Sequence, residues 1–111
     1  MKIQSIDDVV AKRKYTLATP TGSSEIELTI GKPFPSPEVQ DGTEYICPFS
    51  ISHDKSTRFQ FAAGIDSLQS LLLALSAVKA EVGRMAKGYH ASLNWFAGEP
   101  GEIDIHLQES N

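Results

Sequence analysis

The chain of 111 residues contains one cysteine, Cys47. That excludes an internal disulfide, and a lone thiolate cannot make a zinc site by itself. No apolar run approaches the roughly 20 residues that span a bilayer. The opening stretch, MKIQSIDDVV, lacks the apolar core of a secretory signal. A basic excess is also missing: 14 acidic residues against 10 basic ones give a formal charge of −4. Proteins that hold nucleic-acid backbones carry the opposite balance. The one basic cluster, Lys12-Arg13-Lys14, lies in a strand pattern that sends its members to alternate faces. Internal repeats and low-complexity tracts are absent. The expectation is one cytoplasmic domain over 1–111, large enough to bury a core unaided, with no cofactor, nucleic acid or membrane among its partners.

What is present is one long helical stretch, Asp66 to Lys87. Leu68, Leu71, Leu75, Val78, Val82 and Met85 recur at three- and four-residue steps, with Leu72 beside them, which is the apolar stripe of an amphipathic helix. Asp66 suits an N-cap, because its carboxylate accepts from the free amides of the first turn. Gly88 suits a stop in the left-handed conformation.

The segments around it alternate with period two and read as strands. Val9 to Ala18 and Ser24 to Ile30 form a hairpin across Thr19-Pro20-Thr21-Gly22, with Lys14 opposite Glu27 and Tyr15 opposite Ile26. Glu44 to Ser52 and Thr57 to Ala63 form a second across Asp54-Lys55-Ser56. Its predicted pairs are Ile51 with Phe59, Phe49 with Phe61, Ser52 with Arg58 and Ser50 with Gln60, which turns Phe59 and Phe61 inward. Pro48 donates no hydrogen bond, so this strand is expected to be bulged or to lie at an edge. Gly64 reads as a hinge. Residues 31–43, with Pro33, Pro35 and Pro37, read as a surface loop with Phe34 tucked back. Further strands are expected at 91–96 and 103–107, and fraying at 1–7 and 108–111. The fold class is α+β in two layers: an antiparallel sheet of five to six strands with one long helix on one face. The other face, carrying Lys12, Lys14, Glu25, Glu27, Ser50, Arg58, Gln60 and Asn94, is solvated or binds something.

The pattern Tyr45-x-Cys47-Pro48-Phe49, then Ala63-Gly64-x-Asp66-x-x-Gln69-x-Leu71-x-x-Ala74-Leu75, then Leu93-x-Trp95 resembles a family of small uncharacterised bacterial proteins, a domain of unknown function. The resemblance covers about residues 9 to 96. It implies a bacterial source and a small stand-alone domain, and it carries no activity and no site residues.

Residue types that carry chemistry are few and scattered along the chain. Cys47 and His53 share a strand face but stand about 20 Å apart along it, far beyond the roughly 3 Å a nucleophile–base pair needs. The expectation is a buried, inert thiol. His53, His90 and His106 show no helical metal spacing, and Asp104 with His106 is at most a weak surface pair. Asp66 already fills the positive end of the helix dipole, which disfavours phosphate there. No catalytic, metal or cofactor residues are assigned.

The function read from this is a small non-catalytic binding or interaction protein. One alternative is an immunity- or antitoxin-like protein masking a basic partner. Another is a small enzyme whose site assembles around Asp66, Gln69, His90 and Trp95. The predicted interaction surface is the outward helix strip of Leu73, Ala77, Ala80 and Arg84, where charge is sparse. A strip of this kind suits an unknown protein partner or self-association as a homodimer.

Overall fold

The computed structural model describes residues 1–89 and 92–94. Its elements run β1 (Val9–Thr19), β2 (Gly22–Gly31), β3 (Phe34–Pro35), β4 (Tyr45–His53), β5 (Ser56–Gly64), α1 (Ser67–Gly88) and β6 (Ser92–Asn94). The fold is α+β, an antiparallel sheet with one long helix, as the periodicities require. The order across the sheet is β3-β4-β2-β1-β6, with β5 on the far side of β4. β3 continues the line of β2 along β4, because both pair the same side of that strand. The predicted strand at 103–107, together with His90, Trp95 and His106, lies outside the described residues.

The first hairpin keeps its predicted register: Lys14 pairs with Glu27 and Tyr15 with Ile26. Pairing runs on to Thr19 opposite Gly22, so the turn is two residues rather than four, and the Thr19 hydroxyl donates to the Gly22 carbonyl at 3.0 Å. Lys12 and Lys14 both reach Glu27, at 3.5 and 3.9 Å.

The second hairpin is slipped by one residue from the predicted register. His53 pairs with Ser56, Ile51 with Arg58, Ser50 with Phe59 and Pro48 with Phe61. Asp54 takes a positive φ of 56°, a conformation that aspartate tolerates, and this lets Asp54-Lys55 close a two-residue turn. A slip of one inverts every side chain. Arg58, Gln60 and Ala62 therefore share the helix side with Ile51, Phe49 and Cys47, whereas Phe59 and Phe61 turn to the opposite face. There they remain 37% and 38% exposed. The expected polarity match was a poor guide because β4 is buried on both faces, with Ile46, Pro48 and Ser50 as covered as their neighbours.

Pro48 is neither bulged nor at an edge. Its strand is central, paired with β5 throughout. On its other side β2 ends at Phe49 and β3 begins at Ile46, so Cys47 and Pro48 occupy the gap between them. The missing amide falls where that ladder is interrupted.

The core on the helix side holds Tyr15, Leu17, Ile26, Leu28, Ile30, Cys47, Phe49 and Ile51, under Ala74, Val78 and Val82 of α1. The Asp66 cap forms as expected: its Oδ1 accepts from the Gln69 amide at 2.7 Å, and Gln69 Oε1 accepts from the Ile65 amide at 2.8 Å. The buried face of α1 is Ser70, Ala74, Val78, Glu81 and Val82. At about 100° per residue that face is turned roughly 60° from the leucine-centred stripe, and Leu68 is left 63% exposed. Gly64 gives the physical reason. A Cβ there would lie 2.6 Å from the Ser70 backbone nitrogen and 3.0 Å from the Gln69 carbonyl carbon. Gly64 is a contact point rather than a hinge, and the helix docks on it through small Ser70 and Ala74. Gly88 does not stop the helix in a left-handed turn; it is the last helical residue, and Tyr89 caps with φ −92°.

Residues 1–8 run along the opposite face of the sheet. The Asp8 carbonyl accepts from the Lys32 amide at 2.8 Å, the N-terminal ammonium pairs with Glu38 at 2.6 Å, and Ile6 packs over Gly31. The proline-rich loop is pinned by β3, where Phe34 stands opposite Ile46, and by the Ser36 amide donating to the Glu44 carbonyl at 2.8 Å.

Candidate interaction surface

The non-local pairing of β2 with β4 creates the contact closest to chemistry. Ile26 stands opposite His53, which brings Ser24 Oγ within 2.9 Å of His53 Nε2. Sequence reasoning missed this pair. Its only trace was shared strand parity, which is useless until the two strands are known to be neighbours. A nucleophile triad needs the carboxylate on the other ring nitrogen to hold the imidazole. Here Asp54 Oδ2 approaches the same Nε2, at 3.8 Å, from a side chain 70% exposed. Tyr89 covers the ring edge-on at 5.3 Å. The arrangement is a hydrogen bond closing the end of the core under the helix C-terminus.

Cys47 is fully buried, its Sγ donating to the Gly31 carbonyl at 3.5 Å, and burial pushes its thiol up to about 11. A neutral thiol in that setting is inert. Asp66 and Gln69 are consumed in the helix cap, so neither is available for the enzyme site considered above. Among the described residues no group of three histidine, cysteine or carboxylate side chains is placed to hold a metal. A recess of about 620 Å³ lies between residues 2–8 and the Lys32-to-Pro35 stretch, with Pro48 at its floor. It is open, and its charged members Lys2, Asp7, Asp8 and Lys32 are of mixed sign.

Phe59, Phe61 and the exposed leucines of α1 fall elsewhere. β5 is an edge strand with no partner beyond it among the described residues. Phe59 and Phe61 project from one side of it. On the other side α1 lies over β4 and β5. The helix flank above β5 is the predicted strip: Leu73 is 45% exposed, Ala80 and Arg84 are exposed, and Ala77 is half-buried at the strip's inner margin. Glu81, 7% exposed, is bound by both Arg58 of β5 and Arg84 of α1. This ties the helix to the edge strand and neutralises the only charge β5 carries. A second apolar strip, Ile65, Leu68 and Leu72, runs along the opposite flank of the helix start.

A family model described as a domain of unknown function, DUF6968, matches residues 11–106. The chain belongs to this family. No curated protein and no solved structure matches it. The span of the DUF6968 domain takes in β5, α1 and their shared flank, whereas residues 2–8, one wall of the large recess, fall before it. Among the described residues no helix is long and apolar enough to cross a membrane.

Proposed function

We propose that the protein is a small non-catalytic binding module, working in the bacterial cytoplasm, whose contact surface is the β5 edge with the helix flank above it. One observation carries this reading: Phe59 and Phe61 stand exposed side by side on a strand that, among the described residues, has no partner beyond it and no uncompensated charge. A lone exposed aromatic is ordinary. Two on an unprotected edge, continuous with an apolar helix flank, make a surface suited to another polypeptide. Two arginines surround one glutamate there, so the surface is not acidic and does not favour the masking of a basic partner. Ser24 with His53 does not amount to a catalytic pair, and the lone buried thiol suits a reducing compartment.

A photo-crosslinking residue placed at position 61, with a control at position 25 on the solvated β2 surface, tests the reading inside cells. Protein adducts should form from position 61 and not from position 25. Absence of adducts at 61, or equal yield from both positions, would overturn it.

A further inference from the structure

We propose that the occupant of this surface is a second copy of the chain, added antiparallel at β5 so that two sheets become one continuous sheet. The proposal rests on the binding reading above and commits it to one partner.

The edge itself is the first argument. Proteins that keep their sheet edges apart use proline, inward charge or bulges. β5 has no proline and no bulge: its ladder to β4 is unbroken from Tyr45–Gly64 to His53–Ser56, and its one inward charge, Arg58, is already held by Glu81 of α1. All nine of its residues are exposed or half-buried.

Self-complementarity is the second. A two-fold axis perpendicular to the sheet at Gln60 pairs positions whose numbers sum to 120. Phe59 then stands opposite the partner's Phe61, Gln60 opposite the partner's Gln60, and Arg58 opposite the partner's Ala62. Four phenylalanines gather on one face as cross-strand aromatic pairs, and no like charges oppose each other.

The helix supplies an independent check. Gly64 abuts Ser70 and Arg58 reaches Glu81. Gln60 lies one third of the way from Arg58 to Gly64, so it is level with a point about one third of the way from Glu81 to Ser70, which is Ala77. The two helices would therefore cross at a small residue, with Leu73, Ala80 and Arg84 beside it. α1 lies over β4 and β5, so its axis stands about one strand spacing, roughly 4.8 Å, from the two-fold. The helices would then be about 10 Å apart, the upper end of normal helix packing. A strip about 30 Å long and 20 Å high buries roughly 600 Å² per partner, at the lower edge of what specific dimers use.

Sedimentation equilibrium and oxidative crosslinking test this. The 12.1 kDa chain should run as a dimer at micromolar concentration. Phe61→Lys and, separately, Leu73→Glu should each weaken the dimer by about 100-fold or more while the circular dichroism spectrum is kept. Ile65→Ser with Leu68→Ser, on the other helix flank, should leave it unchanged. In Gln60→Cys, oxidation should link the copies, because residues on the axis approach within disulfide range; Lys14→Cys should not link. A monomeric wild type, or a dimer indifferent to both interface variants, overturns the proposal. If the monomer still gives position-61 adducts with a different protein, the binding reading survives and only the second copy is wrong; without adducts both fall.

Discussion

Alanine at Gly64 and alanine at Gly88 should move stability in opposite directions, although both glycines flank the same helix. At Gly64 the added Cβ would come within 2.6 Å of the Ser70 nitrogen and 3.0 Å of the Gln69 carbonyl carbon. These are backbone atoms of the first helical turn, which the Asp66–Gln69 cap holds in place. No rotamer change relieves the clash, so the helix must lift or the strand end must bend. Forced overpacking of this kind costs about 2–3 kcal/mol. At Gly88 the backbone is helical, and nothing lies within 4 Å of the added carbon. There alanine lowers the entropy of the unfolded chain and should stabilise by about 0.5 kcal/mol. Urea titration followed by far-ultraviolet circular dichroism reads both effects as midpoint shifts. With a slope of about 1.5 kcal/mol/M, Gly64→Ala should lower the midpoint by about 1.3–2 M and Gly88→Ala raise it by about 0.3 M. A neutral Gly64→Ala would refute the close docking of α1. Destabilisation by Gly88→Ala of 1 kcal/mol or more would mean that the residue occupies the left-handed conformation after all.

Three further outcomes are expected. Cys47 should react with a thiol reagent only at the rate of global unfolding; its folded thiol is raised to about 11 from the ordinary 9.0, so its contribution is fully present below about pH 9 and lost between pH 9 and 11. Wild type should therefore lose up to about 2 kcal/mol more than Cys47→Ala across that window, and parallel pH curves would contradict the burial. A double-mutant cycle on Arg58→Ala and Glu81→Gln should give a coupling of about 0.5–1 kcal/mol, kept small by the exposure of the arginine; zero coupling would detach the helix from β5 energetically. A serine-directed phosphonate should label Ser24 no faster than it labels exposed serines, and rapid stoichiometric labelling would reinstate an enzyme.

Local patterns determined a good deal of this protein. The 3.6-residue recurrence from Leu68 to Met85 announced one helix, Asp66 announced where it begins, and the period-two alternation of Ser24 to Ile30 specified both a strand and its register with β1. Those features depend on neighbours within a few residues, so the chain states them directly. The outward strip of Leu73, Ala80 and Arg84 was legible for the same reason. Tertiary structure decided the rest. Which side of α1 faces the sheet depended on Gly64 meeting Ser70, a backbone contact that favours small residues over the leucines that periodicity would bury. Phe59 and Phe61 came to the open face because Asp54 accepted a positive φ, shortening the turn by one residue and inverting the whole strand. Ser24 met His53 only because β2 lies beside β4, a neighbour relation set by packing two hairpins under one helix. The candidate interaction surface belongs to this second class: its helix half can be read from spacing, but its edge strand exists as an edge only once every other strand has found its place.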